Sequence, residues 1–252
     1  MALTRYHARL RRIDALEARH TAAVRVGLLR QGEQAAVLLE QFSSLPGAAG
    51  IGVIAARISG QYLTTPLEAL YLAAGLPEAR HEYEHLTGGP RKALAPPEVI
   101  TGWAARLRRF ISTEGAAAVR GITERTRAIV REVLTESAAA GHGISTAAAR
   151  LRARVAELAP ARARAITRTE LVSASNFGSL LGAQATGLNL DTFWISTPGP
   201  RTRPEHQRAG GQVAVGGFFS VGGEPCRYPG DPLLSAGMRI NCRCSIGYRV
   251  KK

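Results

Sequence analysis

The amino-acid sequence predicts an α+β protein, in which long helices fill the N-terminal two-thirds and a small antiparallel β-domain follows. The chain is rich in alanine and arginine, which are good helix formers, and only 6% of its residues are aromatic. Apolar residues recur at helical spacing as far as about residue 186. After Gly187, glycine, proline and β-branched residues become frequent and the apolar period falls to two, as expected of strands.

Residues 1–95 are predicted to form an N-terminal helical region. A long first helix is expected over residues 4–43, because apolar residues recur there at helical spacing, and the stretch from Ser43 to Gly47 ends it. The helices expected next are short and bounded by proline or glycine; they cover residues 51–59, residues 66–74 and a segment that starts at Pro77 and stops at Gly88-Gly89-Pro90. Residues 91–97 are expected to be a linker.

Residues 96–252 are predicted to form a second domain, with helices over residues 97–186 and the small β-domain over residues 187–252. The expected helices are one from Pro97 to the break at Gly141-His142-Gly143, one capped by Ser145 or Thr146 and ended by Pro160, and one over residues 161–186 with Gly187 as its C-terminal cap. The expected strands cover residues 191–196, residues 212–221 with an interruption at Gly216-Gly217, and residues 238–250.

The last predicted strand places two cysteines on its inward face. Met238, Ile240, Cys242, Cys244, Ile246, Tyr248 and Val250 alternate with polar or glycine positions, as in a half-buried antiparallel strand. One interpretation is that the cysteines are small core residues, since free cysteine is commonly buried. The alternative is a structural zinc site, in which Cys226 and His206 complete a Cys3His set, or in which a carboxylate such as Asp231 is the fourth ligand instead of Cys226. In either case His206 is expected close to the strand that carries Cys242 and Cys244.

The segment His81-Glu82-Tyr83-Glu84-His85 matches the H-E-x-x-H pattern of zinc proteases. On a helix the two histidines would share a face, and Glu82 would act as the base. The host segment is short and almost wholly polar, which favours a solvated helix face. We therefore expect that His81 and His85 bind no metal.

The charge balance favours a partner rich in phosphate. The formal net charge is +14, and residues 101–170 contain thirteen arginines against six glutamates. Clustered cations gain affinity for DNA by releasing its counterions, and a spread of charge along helices favours contact without sequence preference. The residues expected to contact DNA or another partner are Arg106, Arg108, Arg109, Arg120, Arg127 and Arg131. The competing interpretation is that arginine is abundant for compositional reasons only.

Three segments, in this order, resemble the phage Mu F-like minor head proteins, a family of phage head morphogenesis proteins. The first is a helical segment with Arg168-Thr169-Glu170, followed by Asn176 and Gly178. The second runs from Trp194 through Arg201-Thr202-Arg203 to His206. The third contains Pro229-Gly230-Asp231 and then Asn241-Cys242-Arg243-Cys244. Together they cover about residues 100–250.

The resemblance implies a structural and assembly protein rather than an enzyme. It implies a minor capsid protein of a tailed bacteriophage, present in small copy number near the portal and needed for head assembly and for DNA packaging or delivery. The implied partners are the portal protein, capsid components and packaged double-stranded DNA. No leader or membrane span is evident, so we expect synthesis in the host bacterial cytoplasm and location in the virion.

Four residues of these segments are predicted to form a buried polar network between helix and β-domain. They are Arg168, Glu170, Arg203 and His206. Such networks fix one arrangement when every member is paired. The alternative is that these side chains are ordinary surface charges.

Overall fold

The computed structural model describes residues 2–88 and 94–251, which form eight helices and four strands. The helices are α1 (Ala2–Glu40), α2 (Ala48–Ala56), α3 (Gln61–Leu86), α4 (Pro97–Ser112), α5 (Glu114–Ala139), α6 (Ile144–Ala185), α7 (Pro204–Arg208) and α8 (Ala236–Arg239). The strands are β1 (Leu190–Ile195), β2 (Phe219–Val221), β3 (Glu224–Cys226) and β4 (Ser245–Val250). Helices account for 68% of the residues and the strands are confined to the C-terminal region, so the predicted α+β class is confirmed.

The longest helix, α6, organises the fold. It packs along α1 and α3, and it also contacts α4, α5 and β4. In the β region, β1 pairs with β4 antiparallel and β2 pairs with β3 antiparallel. The register places Trp194 opposite Ile246, and both side chains are buried against the helices.

The main hydrophobic core crosses the predicted domain boundary between residues 95 and 96. One cluster joins Leu28 and Leu70, which precede the boundary, to Leu107, Leu181 and Trp194, which follow it. A second cluster lies between α1, α2, α5 and the start of α6. Residues from both sides of the predicted boundary therefore pack in one hydrophobic core. The division into two domains stays a prediction.

Three prolines that were predicted to bound helices lie inside them: Pro66 and Pro77 were expected to begin helices, and Pro160 was expected to end one. Pro66 and Pro77 lie inside α3, and Pro160 lies inside α6. Each proline lacks an amide donor, which ordinarily disfavours a helix interior. Here α3 packs against α6, and α6 also packs along α1, and this packing outweighs the local preference. Conversely, the helix predicted from Pro97 to residue 141 is broken at Thr113, whose φ of −108° and ψ of −83° are not helical.

The strand predicted over residues 191–196 agrees with β1 to within one residue, whereas the other two predicted strands are right in position but too long. The strand predicted over residues 212–221 is reduced to β2, because Gly216 and Gly217 both adopt positive φ and form a turn. The strand predicted over residues 238–250 is reduced to β4, because α8 precedes it and Asn241 has a φ of 58°. At the end of α6, Gly187 has a φ of 67°, as expected of a C-terminal cap. Residues 89–93, with part of the predicted stop and linker, lie outside the described residues.

Candidate metal centre

His206, Cys242 and Cys244 converge in a buried cluster. Their exposed fractions are 1%, 3% and 2%, and their ligand atoms all lie within 4.8 Å of one another. The Nδ1 atom of His206 is 3.5 Å from each of the two Sγ atoms. A tetrahedral zinc ion, with bonds of about 2.3 Å to sulfur and about 2.0–2.1 Å to nitrogen, would place such atoms about 3.6 Å apart. The donor types and their separations therefore suit a zinc ion.

The connection after β1 positions His206. Pro204 occupies the first turn of α7, where its missing amide hydrogen has no helical partner to lose. The hydroxyl of Ser196 donates a hydrogen bond to the carbonyl oxygen of His206. The imidazole meets the edge of the Trp194 ring, with ring centroids 5.7 Å apart and an interplanar angle of 87°. Nδ1 is the nitrogen that faces the cysteines, and the buried Nε2 atom has no hydrogen-bond partner within the described part of the chain.

A tight turn, rather than the predicted strand, brings Cys242 and Cys244 together. Asn241 turns the chain with its positive φ, which asparagine tolerates better than most residues. The backbone N–H of Cys244 then points to Sγ of Cys242 at 3.4 Å. The hydroxyl of Thr197 lies 3.9 Å from Sγ of Cys244. The prediction that both cysteines face inward next to His206 thus agrees with their placement, although the strand assignment at these positions was wrong.

Three residues of α6 hold this turn in place. Thr169 accepts a hydrogen bond from the backbone N–H of Asn241 at 3.0 Å. Glu170 pairs with Arg239 at 2.6 Å, just before the turn. Asn176 donates to the carbonyl oxygens of Pro229 and Cys244 and accepts the N–H of Ile246. The sequence reasoning missed the role of Asn176, although the residue lies in one of the three motif segments.

Hydrogen bonding between Cys242 and Cys244 shifts the pKa values of the two thiols in opposite directions. A hydrogen bond with Cys242 lowers the pKa of Cys244 although burial opposes this, and His206 and the backbone of Thr197 lower it further. The same hydrogen bond, together with burial, raises the pKa of Cys242. One negative charge is therefore stabilised on Cys244, which is the form of cysteine that ligates metals.

The cluster forms part of the wall of a pocket of about 680 Å³. Its other walls come mainly from the connection between β1 and α7 and from four arginines: Arg168, Arg201, Arg203 and Arg243. Arg168 pairs with Glu17 at 2.7 Å, and Arg243 pairs with Asp14 at 2.6 Å. Arg201 and Arg203 have no ion pair among the described residues, so these two side chains make the mouth of the pocket basic.

Cys226 does not join the cluster. It lies in β3, is fully buried, and is absent from the group whose ligand atoms converge. Burial raises the pKa of Cys226 to about 12, with further contributions from Asp231 and Glu224, so this thiol stays protonated. The predicted Cys3His set is therefore wrong in its fourth member.

The polar network predicted from four residues is also wrong in its grouping. Arg168 pairs with Glu17, and Arg203 donates to the carbonyl oxygen of Ile240 at 2.7 Å. His206 contacts the two cysteines. Glu170 accepts hydrogen bonds from Arg239 and from the hydroxyl of Tyr71. The four residues therefore act through separate partners rather than as one network.

The H-E-x-x-H segment lies in α3, with both histidines exposed. The expectation of a solvated face holds for His81 and His85 but not for Glu82, which is 1% exposed. Its carboxylate pairs with Arg5 and Arg9 and accepts the hydroxyl of Ser179. Because these contacts occupy both oxygens, Glu82 has a structural role and is not placed to act as a base.

The arginines predicted to contact DNA differ in their environments. Arg106, Arg108, Arg109, Arg120 and Arg131 are exposed on α4 and α5. Arg127 is half-buried and donates to the carbonyl oxygens of Ala56 and Ile58, at the end of α2. It is therefore engaged in holding α2, and the prediction of a contact surface is kept for the five exposed arginines.

The fold and the cluster define a helical protein whose C-terminal β region is fastened to its longest helix and carries a buried cysteine–histidine group. Residues 128–247 match the family model described as Phage Mu protein F like protein, and this match supports the resemblance to the Mu F-like family predicted from the motif segments. The proteins of that family are structural proteins of the phage head, and the match therefore supports the coarse assignment of a head morphogenesis protein.

The match extends from α5 to β4 and includes every residue of the cysteine–histidine group. No curated protein and no solved structure matches the chain. Within residues 2–88 and 94–251, no helix is long and apolar enough to cross a membrane.

Proposed function

We propose that this chain is a minor head protein of a tailed bacteriophage, which acts near the portal in head assembly and in DNA packaging or delivery. The Mu F-like match over residues 128–247 carries the proposal. The proposed partners are the portal protein and capsid components, and the protein is made in the host bacterial cytoplasm. Its role is structural rather than enzymatic.

The contacts made by the motif residues support a structural role. Thr169, Glu170 and Asn176 are all buried, and their polar atoms bind the segment that leads to β4. Fully paired buried polar groups specify one arrangement of the elements they join. The motif residues of α6 therefore fasten the C-terminal region to this helix.

Association with the portal is the first prediction. In purified virions, chemical cross-linking and mass spectrometry should yield cross-links between this chain and the portal protein. The copy number of the chain should be far below that of the major capsid protein, because a minor head protein occupies few positions. As a specificity control, cross-links to the tail-tube protein should be absent. A chain missing from purified virions would contradict the proposal.

A second candidate function is sequence-independent binding of double-stranded DNA, favoured by the exposed arginines of α4 and α5. With a net charge of +14, the protein should bind duplex DNA at low ionic strength and lose affinity steeply as salt rises. Arg109→Gln, Arg120→Gln and Arg131→Gln combined should weaken binding. The slope of log K against log salt should become shallower by about 0.9 for each phosphate that the variant no longer neutralises.

A charge-matched variant distinguishes a defined surface from bulk charge. Arg11, Arg19 and Arg25 are exposed on α1, and replacing all three by glutamine removes the same charge. This control should keep most of the affinity and the original salt slope. Equal losses in both triple variants would refute a binding surface on α4 and α5, and no binding of the parent protein would refute the DNA function itself.

A further inference from the structure

The cysteine–histidine group supplies three ligands, whereas zinc in structural protein sites is almost always bound by four. Among the described residues, the converging set consists of His206, Cys242 and Cys244. Other acids and thiols of this region have different positions or partners. Asp231 is held by Arg227, Glu205 pairs with Arg208, and Cys226 lies apart in β3.

All three ligand residues line the basic pocket. A tetrahedral ion held by them would therefore have its fourth position open toward this pocket. Two thiolates neutralise the charge of a zinc ion. The charged side chains around the open position therefore determine which ligand binds there. Arg201 is exposed at the pocket and has no side-chain partner among residues 2–88 and 94–251. Arg203 also lines the pocket, and among the described residues its side chain makes one hydrogen bond, to the carbonyl oxygen of Ile240. Arginine binds carboxylate and phosphate oxygens through two parallel hydrogen bonds.

We propose that His206, Cys242 and Cys244 bind one zinc ion, whose fourth position is filled by an oxyanion that enters through the arginine-lined pocket. The oxygen belongs to a carboxylate or a phosphate, which share this chemistry. The site is thus a three-ligand zinc centre with an exchangeable position, rather than the closed Cys3His site expected from the sequence. The protein holds the metal through the turn fastened to Thr169 and Asn176.

Zinc content tests the ligand set. The purified protein should contain one zinc per chain, and Cys242→Ser, Cys244→Ser and His206→Ala should each lose it. Cys226→Ser is the matched control, because it removes an equally buried thiol and should keep the metal. His81→Ala combined with His85→Ala should also keep it. A metal-free parent protein, or loss of zinc in Cys226→Ser, would overturn the proposed set.

Cobalt replacement in the unmutated protein tests the same point without relying on variants that could unfold. The absorption spectrum should show tetrahedral cobalt with the charge-transfer intensity of two thiolates. Three thiolates would overturn the assignment, since they would require Cys226 as a ligand.

Anion titration tests the exchangeable position. Adding acetate or inorganic phosphate to the cobalt-substituted protein should shift the visible bands in a saturable way, and the anion that acts at lower concentration identifies the preferred oxyanion. Arg201→Gln should raise the half-saturating concentration several-fold without changing the metal content. Arg80→Gln, an exposed arginine on α3, should leave it unchanged. Bands insensitive to both anions would show a closed site and overturn this part of the proposal.

Discussion

Replacing Arg9 with methionine should lower the free energy of unfolding by about 3–5 kcal/mol, the range measured when one partner of a buried ion pair is removed. Arg9 is only 7% exposed, although it lies on the first helix of the chain. Its guanidinium joins α1 to three other elements. Nε donates to Glu78 and Nη2 to Glu82 of α3, while Nη1 donates to Asn176 of α6 and to the carbonyl oxygen of Ile246 in β4.

The loss is large because methionine would leave buried acceptors without a donor. Glu78 and Glu82 are 3% and 1% exposed. The remaining cations near them, Arg5 and Arg12, are more than a third exposed at their side chains and contact the outer oxygens only. Buried charge without compensation is far more unfavourable than a missing surface pair.

Chemical denaturation followed by circular dichroism measures this effect. Arg19→Met, at an exposed position of the same helix, is the control and should change stability by no more than about 0.5 kcal/mol. Equal stability of Arg9→Met and the parent protein would show that the buried group contributes nothing net.

The buried ion pairs of Arg9 with Glu78 and Glu82 should also make the stability of the protein depend on pH. Burial raises the pKa of Glu78, but attraction to Arg9 and hydrogen bonding with Arg12 outweigh it, so the pKa is lowered overall. An acid with a lowered pKa in the folded state stabilises the protein above its ordinary pKa of 4.5, and this contribution disappears as the pH falls through the lowered value. The parent protein should therefore lose stability on acidification, and Arg9→Met should lose less.

The residues of this buried ion-pair group are spaced regularly in the sequence, but helical periodicity alone does not distinguish them from exposed charges. Arg5, Arg9 and Arg12 share one face of α1, and Glu78 and Glu82 share one face of α3, because residues three or four apart are neighbours on a helix. Taken separately, each row has the pattern of a solvated face. Their burial follows only from the packing of α1 on α3 beneath β4, which local periodicity does not contain.

The outline of the fold was predictable, because helical periodicity before residue 186 and alternation after it reflect which faces are buried. The ends of the helices were less predictable from the sequence. Pro77 lies between Gly75 and Ala79, where α3 meets α6, and the packing there overrides the local effect of proline. In the candidate site, alternation placed Cys242 and Cys244 inward, but a turn with Asn241 at positive φ satisfies the same pattern as a strand.

Gly178→Ala should destabilise the protein by about 3 kcal/mol, the upper end of the range for overpacking a core. The helices α3 and α6 cross at this glycine with their backbones in contact. An added Cβ at Gly178 would lie 2.7 Å from Cα of Gly75, and one at Gly182 would lie 2.9 Å from Cα of Ala79. These neighbours are backbone atoms, so the clash is relieved only if the helices move apart.

The control has the opposite expected sign. Gly121 lies in the interior of α5, it is exposed, and an added Cβ would meet nothing within 4 Å. Gly121→Ala should therefore stabilise the protein by about 0.5–1 kcal/mol, since alanine is the better helix former. A Gly178→Ala protein as stable as Gly121→Ala would show that the close helix crossing does not exist.

Gly178→Ala should also weaken the proposed metal centre. Asn176 lies two residues before the crossing and holds the carbonyl oxygen of Cys244, so a displaced α6 moves the cysteine turn relative to His206. Competition with a zinc-sensitive dye should show lower zinc affinity in Gly178→Ala and unchanged affinity in Gly121→Ala. If Gly178→Ala lost stability but kept its zinc affinity, the helix crossing and the metal ligands would be independent. The turn would then keep its geometry without support from α6.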